Sequence, residues 1–219
     1  MKFESITLLT SEFEDTLQFY EEILECPVIS EDADMFTVQI GETQLQFCRT
    51  TDSNQPFYHF AIDIPYNHFY DIKAYFQNIL FLSMEDGQHS TYFEDFAAHA
   101  MYFNDPSGNI VELIARVSNM NDEPEFSRIS EIGFVCNDVH TIYQALTNYN
   151  LTTHQNAPFA PQQLNFLGDT QDESYILLTP AGRRWYFSDN SAETHPITIQ
   201  TQAFRLSYDA DDQWHLTSV

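Results

Sequence analysis

The chain repeats one pattern of elements. A strand-like run, a helical stripe and three short strand-like runs recur about three times, with a reduced fourth copy at the C-terminal end. In the first unit a strand over 3–10 leads into Ser11-Glu12-Phe13-Glu14, a serine followed three residues later by a glutamate, which predicts a capping box. Phe13, Leu17, Tyr20 and Leu24 then share one helical face, and Pro27 ends the helix. Strands follow near 27–31, 34–40 and 43–49. The second unit starts with a strand over 57–64, broken by Pro65, and a stripe of Phe69, Ile72, Phe76 and Ile79. It closes with a hairpin over 97–103 and 109–116. The third has a strand over 129–136, a stripe of Val139, Ile142, Leu146 and Tyr149, and strands near 151–155, 162–168 and 173–179. Residues 195–206 and 213–218 add strands with no helix before them. A unit that cannot cover its own apolar face must assemble side by side with its neighbours. The expected fold is α+β, with repeated βαβββ units forming curved mixed sheets around a cup-shaped cavity.

Strand parity says what enters that cup, because alternate side chains point to opposite faces. Ile6 and Leu8 oppose Ser5 and Thr7, Leu45 and Phe47 oppose Gln46, and Phe60 and Ile62 oppose His59, Ala61 and Asp63. The apolar faces pack on helices, which leaves Ser5, Thr7, Gln46 and His59 for the cup. The hairpin over 103–114 adds one more. Asp105-Pro106-Ser107-Gly108 is turn chemistry, with proline presetting one φ and glycine allowing a positive one. The strand after it is Val/Ile/Leu-rich except for Glu112, and a buried carboxylate is costly unless paired, protonated or bound to a metal. Aligning the units makes Ser5, His59 and Glu131 equivalent. Glu131 has no histidine companion at matching spacing and is expected to be salt-bridged or exposed. His99 shares parity with Met101 and Phe103, and either enters the cup or is a core or rim residue.

Composition excludes several function classes. The net charge is −25, with only eight Lys plus Arg, so nucleic-acid phosphates and anionic membrane surfaces would be repelled. No apolar run is long enough to span a bilayer, and Met1-Lys2-Phe3-Glu4 does not start a signal peptide. Cys26, Cys48 and Cys136 lack metal or redox spacing, and their odd number suits reduced thiols and a cytoplasmic location. No phosphate loop, nucleophile elbow or His-Glu-x-x-His motif is present.

Three passages together resemble the vicinal oxygen chelate superfamily of glyoxalases, extradiol dioxygenases and bleomycin-resistance proteins. They are Ile6-Thr7-Leu8-Leu9-Thr10-Ser11 with the helix after it, Tyr58-His59-Phe60-Ala61-Ile62-Asp63, and Tyr102-Phe103-Asn104-Asp105-Pro106-Ser107-Gly108-Asn109-Ile110-Val111-Glu112-Leu113. The resemblance implies a complete module over residues 1–118 and a second, degenerate module over 127–219, joined by the polar stretch 118–124. It also implies metal ligands at four strand positions facing the cup: Ser5, Gln46, His59 and Glu112. His59 and Glu112 match the usual ligand types, Gln46 is a permissible oxygen ligand, and Ser5 departs from the pattern. Glu112 would also be the catalytic residue, as a base.

Two functions from different classes follow. One is a metal-dependent lyase or dioxygenase in which His59, Glu112 and Gln46 hold zinc, manganese, iron or nickel. The other is a metal-free protein that sequesters a small aromatic or cationic molecule, with a vacated site in which His59 and Glu112 pair. A scaffold with an empty cup is a third. A small-molecule ligand is the expected partner in the first two, and a homodimer is compatible with all three. Gly182-Arg183-Arg184-Trp185-Tyr186-Phe187 resembles a passage near the end of two-module members. Its arginines either bind an anionic substrate or balance local acid charge.

Overall fold

The first unit forms as its sequence predicts, with a departure at its helix. In the computed structural model, which describes residues 1–51, 55–169 and 171–219, β1 (Phe3–Thr10) leads to α1 (Phe13–Gln18). The helix does not begin with the capping box. Glu12 is the N-cap and makes no side-chain cap bond; its own N–H donates to Thr10 Oγ1 at 3.1 Å. The helix then widens into one π-helical stretch, Phe19–Ile23, closed by Leu24 N–H donating to the Phe19 carbonyl at 3.0 Å. Strands β2 (Val28–Glu31), β3 (Met35–Ile40) and β4 (Thr43–Arg49) complete the unit.

The second unit contains β5 (His59–Asp63), α2 (Phe69–Ile79), β6 (Thr91–Phe93), β7 (Ala98–Asn104) and β8 (Ile110–Arg116). The third contains β9 (Arg128–Val135), α3 (Val139–Thr147), β10 (Thr152–Thr153), β11 (Asn165–Asp169) and β12 (Ser174–Thr179). Asp138 caps α3 by accepting from Thr141 N–H at 3.1 Å. The C-terminal meander is β13 (Ile197–Thr201), β14 (Phe204–Tyr208) and β15 (Trp214–Ser218).

The units do not pair in chain order. One sheet has seven strands in the order β15-β14-β13-β1-β4-β3-β2; the other has eight, in the order β10-β11-β12-β9-β5-β8-β7-β6. The first unit therefore shares its sheet with the C-terminal meander, and the second shares its sheet with the third. Residue 118 is not a sheet boundary, contrary to the expected pairing of the first two units. The physical reason is edge choice: β1 takes β13 as its antiparallel neighbour, and β5 takes β9.

One hydrophobic core joins both sheets and all three helices. It includes Ile6, Leu8, Phe36 and Phe47 from one sheet, Phe60, Phe103 and Leu113 from the other, and Tyr20, Phe76 and Ile142 from the helices. Polar contacts fix the seam between the sheets. Tyr20 donates to Asp105 Oδ2 at 2.9 Å, and Ser107 Oγ lies 2.6 Å from Thr10 Oγ1 and 2.8 Å from Thr16 Oγ1. The β7–β8 turn is thus clamped onto the helix of the first unit. Gly41, at φ +52, lets the β3–β4 turn press onto the segment entering β9; a Cβ there would lie 1.9 Å from the Ser127 carbonyl oxygen. Among the described residues no helix is long and apolar enough to cross a membrane.

Candidate metal centre

The eight-stranded sheet brings together two of the expected ligands and one that was not expected. His59 opens β5, Glu112 lies mid-way along β8, and Glu131 lies on β9 opposite Ala61. They are 6%, 3% and 3% exposed, and one ligand atom from each lies within 4.8 Å of the others.

Backbone geometry sets the histidine. Nδ1 of His59 lies 3.0 Å from the Ile110 carbonyl oxygen. A carbonyl can only accept, so Nδ1 carries the proton and Nε2 presents its lone pair. Nε2 is 3.6 Å from Glu112 Oε2. Burial lowers the ring's pKa to about 4, so the imidazole is neutral near pH 7.

The carboxylates are pushed the other way. Burial, then the charge of Glu131, raises the pKa of Glu112 well above the usual carboxylate range, against a hydrogen bond from its cross-strand neighbour Tyr102. Burial raises Glu131 to about 7, opposed by Arg116. Arg116, itself 2% exposed, donates from Nη2 to Glu131 Oε1 at 2.5 Å and from Nη1 to Asp63 Oδ1 and, at 2.9 Å, to Ser130 Oγ. Arg128 Nε donates to Asp63 Oδ2 at 2.9 Å.

Counting formal charges tests the fit of a metal. Asp63, Glu112 and Glu131 would carry three negative charges when ionised, against two positive charges on Arg116 and Arg128 in direct contact and a third on Arg183, half-buried in the wall of the adjoining cavity, with His59 neutral. Within the directly bonded network one negative charge is left over, and in a medium of low dielectric it calls for a proton, a bound cation or the nearby Arg183 guanidinium. A neutral imidazole nitrogen and two carboxylate oxygens within 4.8 Å of one another are a donor set that fits a divalent ion.

Strand register explains how the three residues converge. Glu112 pairs with Ala61, two residues after His59; Leu177 pairs with Gly133, two after Glu131; Gln46 pairs with Thr7, two after Ser5. Each unit therefore offers one position on its first strand and one on its last. Pairing the second and third units gives His59, Glu112, Glu131 and Leu177, a set with three donors.

Gln46 and Ser5 belong to the seven-stranded sheet, so the structure does not bring them to His59 and Glu112. Gln46 Oε1 accepts from Thr7 Oγ1 at 2.8 Å. The expected ligand set is corrected on this point, because β4 follows β1 into the other sheet. His99 points away from the cup and stacks on Phe69 at 4.8 Å. Glu131 is salt-bridged, as its sequence suggests, but it is buried beside His59. Its equivalence to His59 in the repeat was the available signal; the missing information was which units pair.

The centre lies on the wall of a cavity of about 350 Å³, lined chiefly by aromatic and aliphatic side chains with Arg183 among them. The loop between β12 and β13 folds across this region. It is pinned by Arg184 to Glu85, and Trp185 packs 4.9 Å from His59. Gly133 makes room for that indole: a Cβ there would sit 3.1 Å from the Trp185 ring.

The family described as toxoflavin-degrading enzyme matches residues 129–183, the third unit and the start of this loop. A comparison with curated proteins finds no match. Among solved structures, a putative dioxygenase from Bacillus subtilis is similar over 97% of this chain and 72% of its own, at 14% identity and a TM-score of 0.60. A lactoylglutathione lyase from Agrobacterium tumefaciens is similar over 51% of this chain and 91% of its own, at 15% identity and a TM-score of 0.43. An integron cassette protein from the mobile metagenome of the Halifax Harbour sewage outfall is similar over 52% of this chain and 97% of its own, at 19% identity and a TM-score of 0.46. The near-full-length likeness to the first of these shows the fold: repeated βαβββ units in curved mixed sheets, the fold that the resemblance to the vicinal oxygen chelate superfamily implies.

Proposed function

We propose that the chain is a divalent-metal-dependent enzyme of the glyoxalase or dioxygenase kind, acting on a small, largely apolar molecule in the eight-stranded cup. The observation that carries this reading is the convergence of His59, Glu112 and Glu131 on a buried site in the cavity wall. These three residues would hold the ion. A divalent ion bound there supplies Lewis acidity toward a substrate with two neighbouring oxygens.

The chain's own residues do the rest. The Ile110 carbonyl fixes the His59 tautomer so that Nε2 faces the site. Burial favours the protonated form of Glu112, so its carboxyl can hold a proton at an oxygen beside the Tyr102 hydroxyl. Arg116 keeps Glu131 in place, and Trp185 and Phe166 form apolar walls that exclude water. A metal-free binding protein is the second reading. The observation favouring it is that Arg116 already neutralises one Glu131 oxygen, so a single proton on Glu112 would balance the site.

Elemental analysis after dialysis against zinc, manganese, iron and nickel separates the two. The enzyme reading expects about one ion per chain in the wild type and none in Glu112→Ala. Metal-free wild type, or full retention in the variant, would overturn it.

A further inference from the structure

The two adjacent arginines of the β12–β13 loop, equivalent in sequence, have different surroundings. Arg184 is exposed and contacts both carboxylate oxygens of Glu85. Arg183 is half-buried, lines the cup, and pairs with no described carboxylate. Its guanidinium donates at 3.1 Å to the Arg184 carbonyl oxygen and lies 5.8 Å from the centre of the Trp185 ring. The chain has 33 Asp plus Glu and eight Lys plus Arg, so an acid partner would be easy to supply. Burial and the neighbouring Arg184 lower the pKa of Arg183, with no carboxylate opposing them. Its charge is also felt at His59.

A guanidinium has five N–H donors in a planar fork, and one bond to a carbonyl leaves most of them for another acceptor. A half-buried cation with unused donors, facing a cavity walled by Phe96, Phe166, Tyr102 and Trp185, has the form of an anion anchor beside a platform for a flat ring. We infer that Arg183 is the anion-binding residue of the cup, and that the ligand is a flat aromatic molecule bearing an anionic oxygen such as a carboxylate, phenolate or enolate. This rests on the cup being the ligand site and names the class of substrate it takes. It also reverses the preference for cationic ligands that the acidic surface suggests: surface charges are screened within roughly 10 Å by salt, whereas Arg183 acts at contact distance.

The test is calorimetric titration of the full chain with 2-naphthoate, its neutral amide and 2-naphthylmethylammonium, repeated with Arg183→Gln and Arg184→Gln. Metal content is measured on the same samples, and each titration is run with and without a chelator. The wild type is expected to bind naphthoate tightest, by about tenfold or more over the amide, the range of one lost charge-assisted hydrogen bond. Arg183→Gln should erase that preference and Arg184→Gln should keep it, with metal content equal in all three. No binding of naphthoate, equal affinity for acid and amide, tightest binding of the ammonium probe, or a preference that survives Arg183→Gln would each overturn the inference. Metal-free protein that retains an Arg183-dependent preference would overturn the metal reading and leave this one standing. Metal-loaded protein without the preference would do the reverse.

Discussion

The two sheets are built from the same kind of unit and differ in what they bury. At matching register the seven-stranded sheet presents Ser5 and Gln46, neutral and half-buried, with Gln46 bonded to Thr7. The eight-stranded sheet presents His59, Glu112 and Glu131 in its interior, backed by Asp63, Arg116 and Arg128. Both sheets satisfy the packing demands of the fold, and only one takes on the cost of burying charge. Charge removed from water without a packing need marks a site under functional demand. The contrast therefore points to the eight-stranded cup as the working one.

The comparison breaks most readily at Arg116. Replacing it with methionine leaves Asp63 and Glu131 buried with less compensation, and the cost should be about 3–5 kcal/mol in denaturant unfolding. A loss below about 1 kcal/mol would mean that the carboxylates lose their charge freely and that the cluster is not an ion network.

Asp105 sharpens the account at the seam between the sheets. Burial raises its pKa to about 6, even though Asn109 and Tyr20 donate hydrogen bonds to it. The folded state therefore holds a proton on Asp105 more tightly than the unfolded chain, whose ordinary value is 3.8. Its contribution to stability is fully present below the unfolded value and is lost as pH rises through 6. Over that window the wild type should lose about 3 kcal/mol relative to Asp105→Asn, which does not titrate there. Denaturant midpoints at pH 4 and pH 7 check this; a difference between the two proteins that does not change with pH would contradict it.

The smallest effect is expected in the other sheet. Gln46→Ala removes one half-buried hydrogen bond, and its cost should stay near about 1 kcal/mol. A cost comparable to that of Arg116→Met would erase the distinction between the sheets.

Most local elements were legible in the sequence. Val111 and Leu113 against Glu112, and Phe60 and Ile62 against His59, give the faces of β8 and β5 directly, because side chains alternate along a strand. The capping box does not form: the Glu14 carboxylate is held by Arg49, and the helix begins one residue later, with Glu12 as its N-cap. Pairing between units was not legible. Parity says which face a residue occupies but not which strand lies alongside, and β1, β5 and β9 all begin units of the same kind. Parity alone therefore groups Gln46 with His59 and omits Glu131. Arg116 closes an apolar strand and gives no local sign that it is the central cation of a buried network. The sequence leaves Arg183 and Arg184 with two roles between them, and the ion pair with Glu85, outside the loop, gives Arg184 the charge-balancing one.

In the proposed function the second and third units make the metal site and the first contributes nothing to it. The most direct measurement is manganese binding to wild type, Glu131→Gln and Gln46→Ala, by titration of the chelator-treated protein near neutral pH. The account predicts about one site per chain in the wild type, unchanged in Gln46→Ala and lost or weakened by about tenfold or more in Glu131→Gln. Loss of the site in Gln46→Ala with full retention in Glu131→Gln would contradict it.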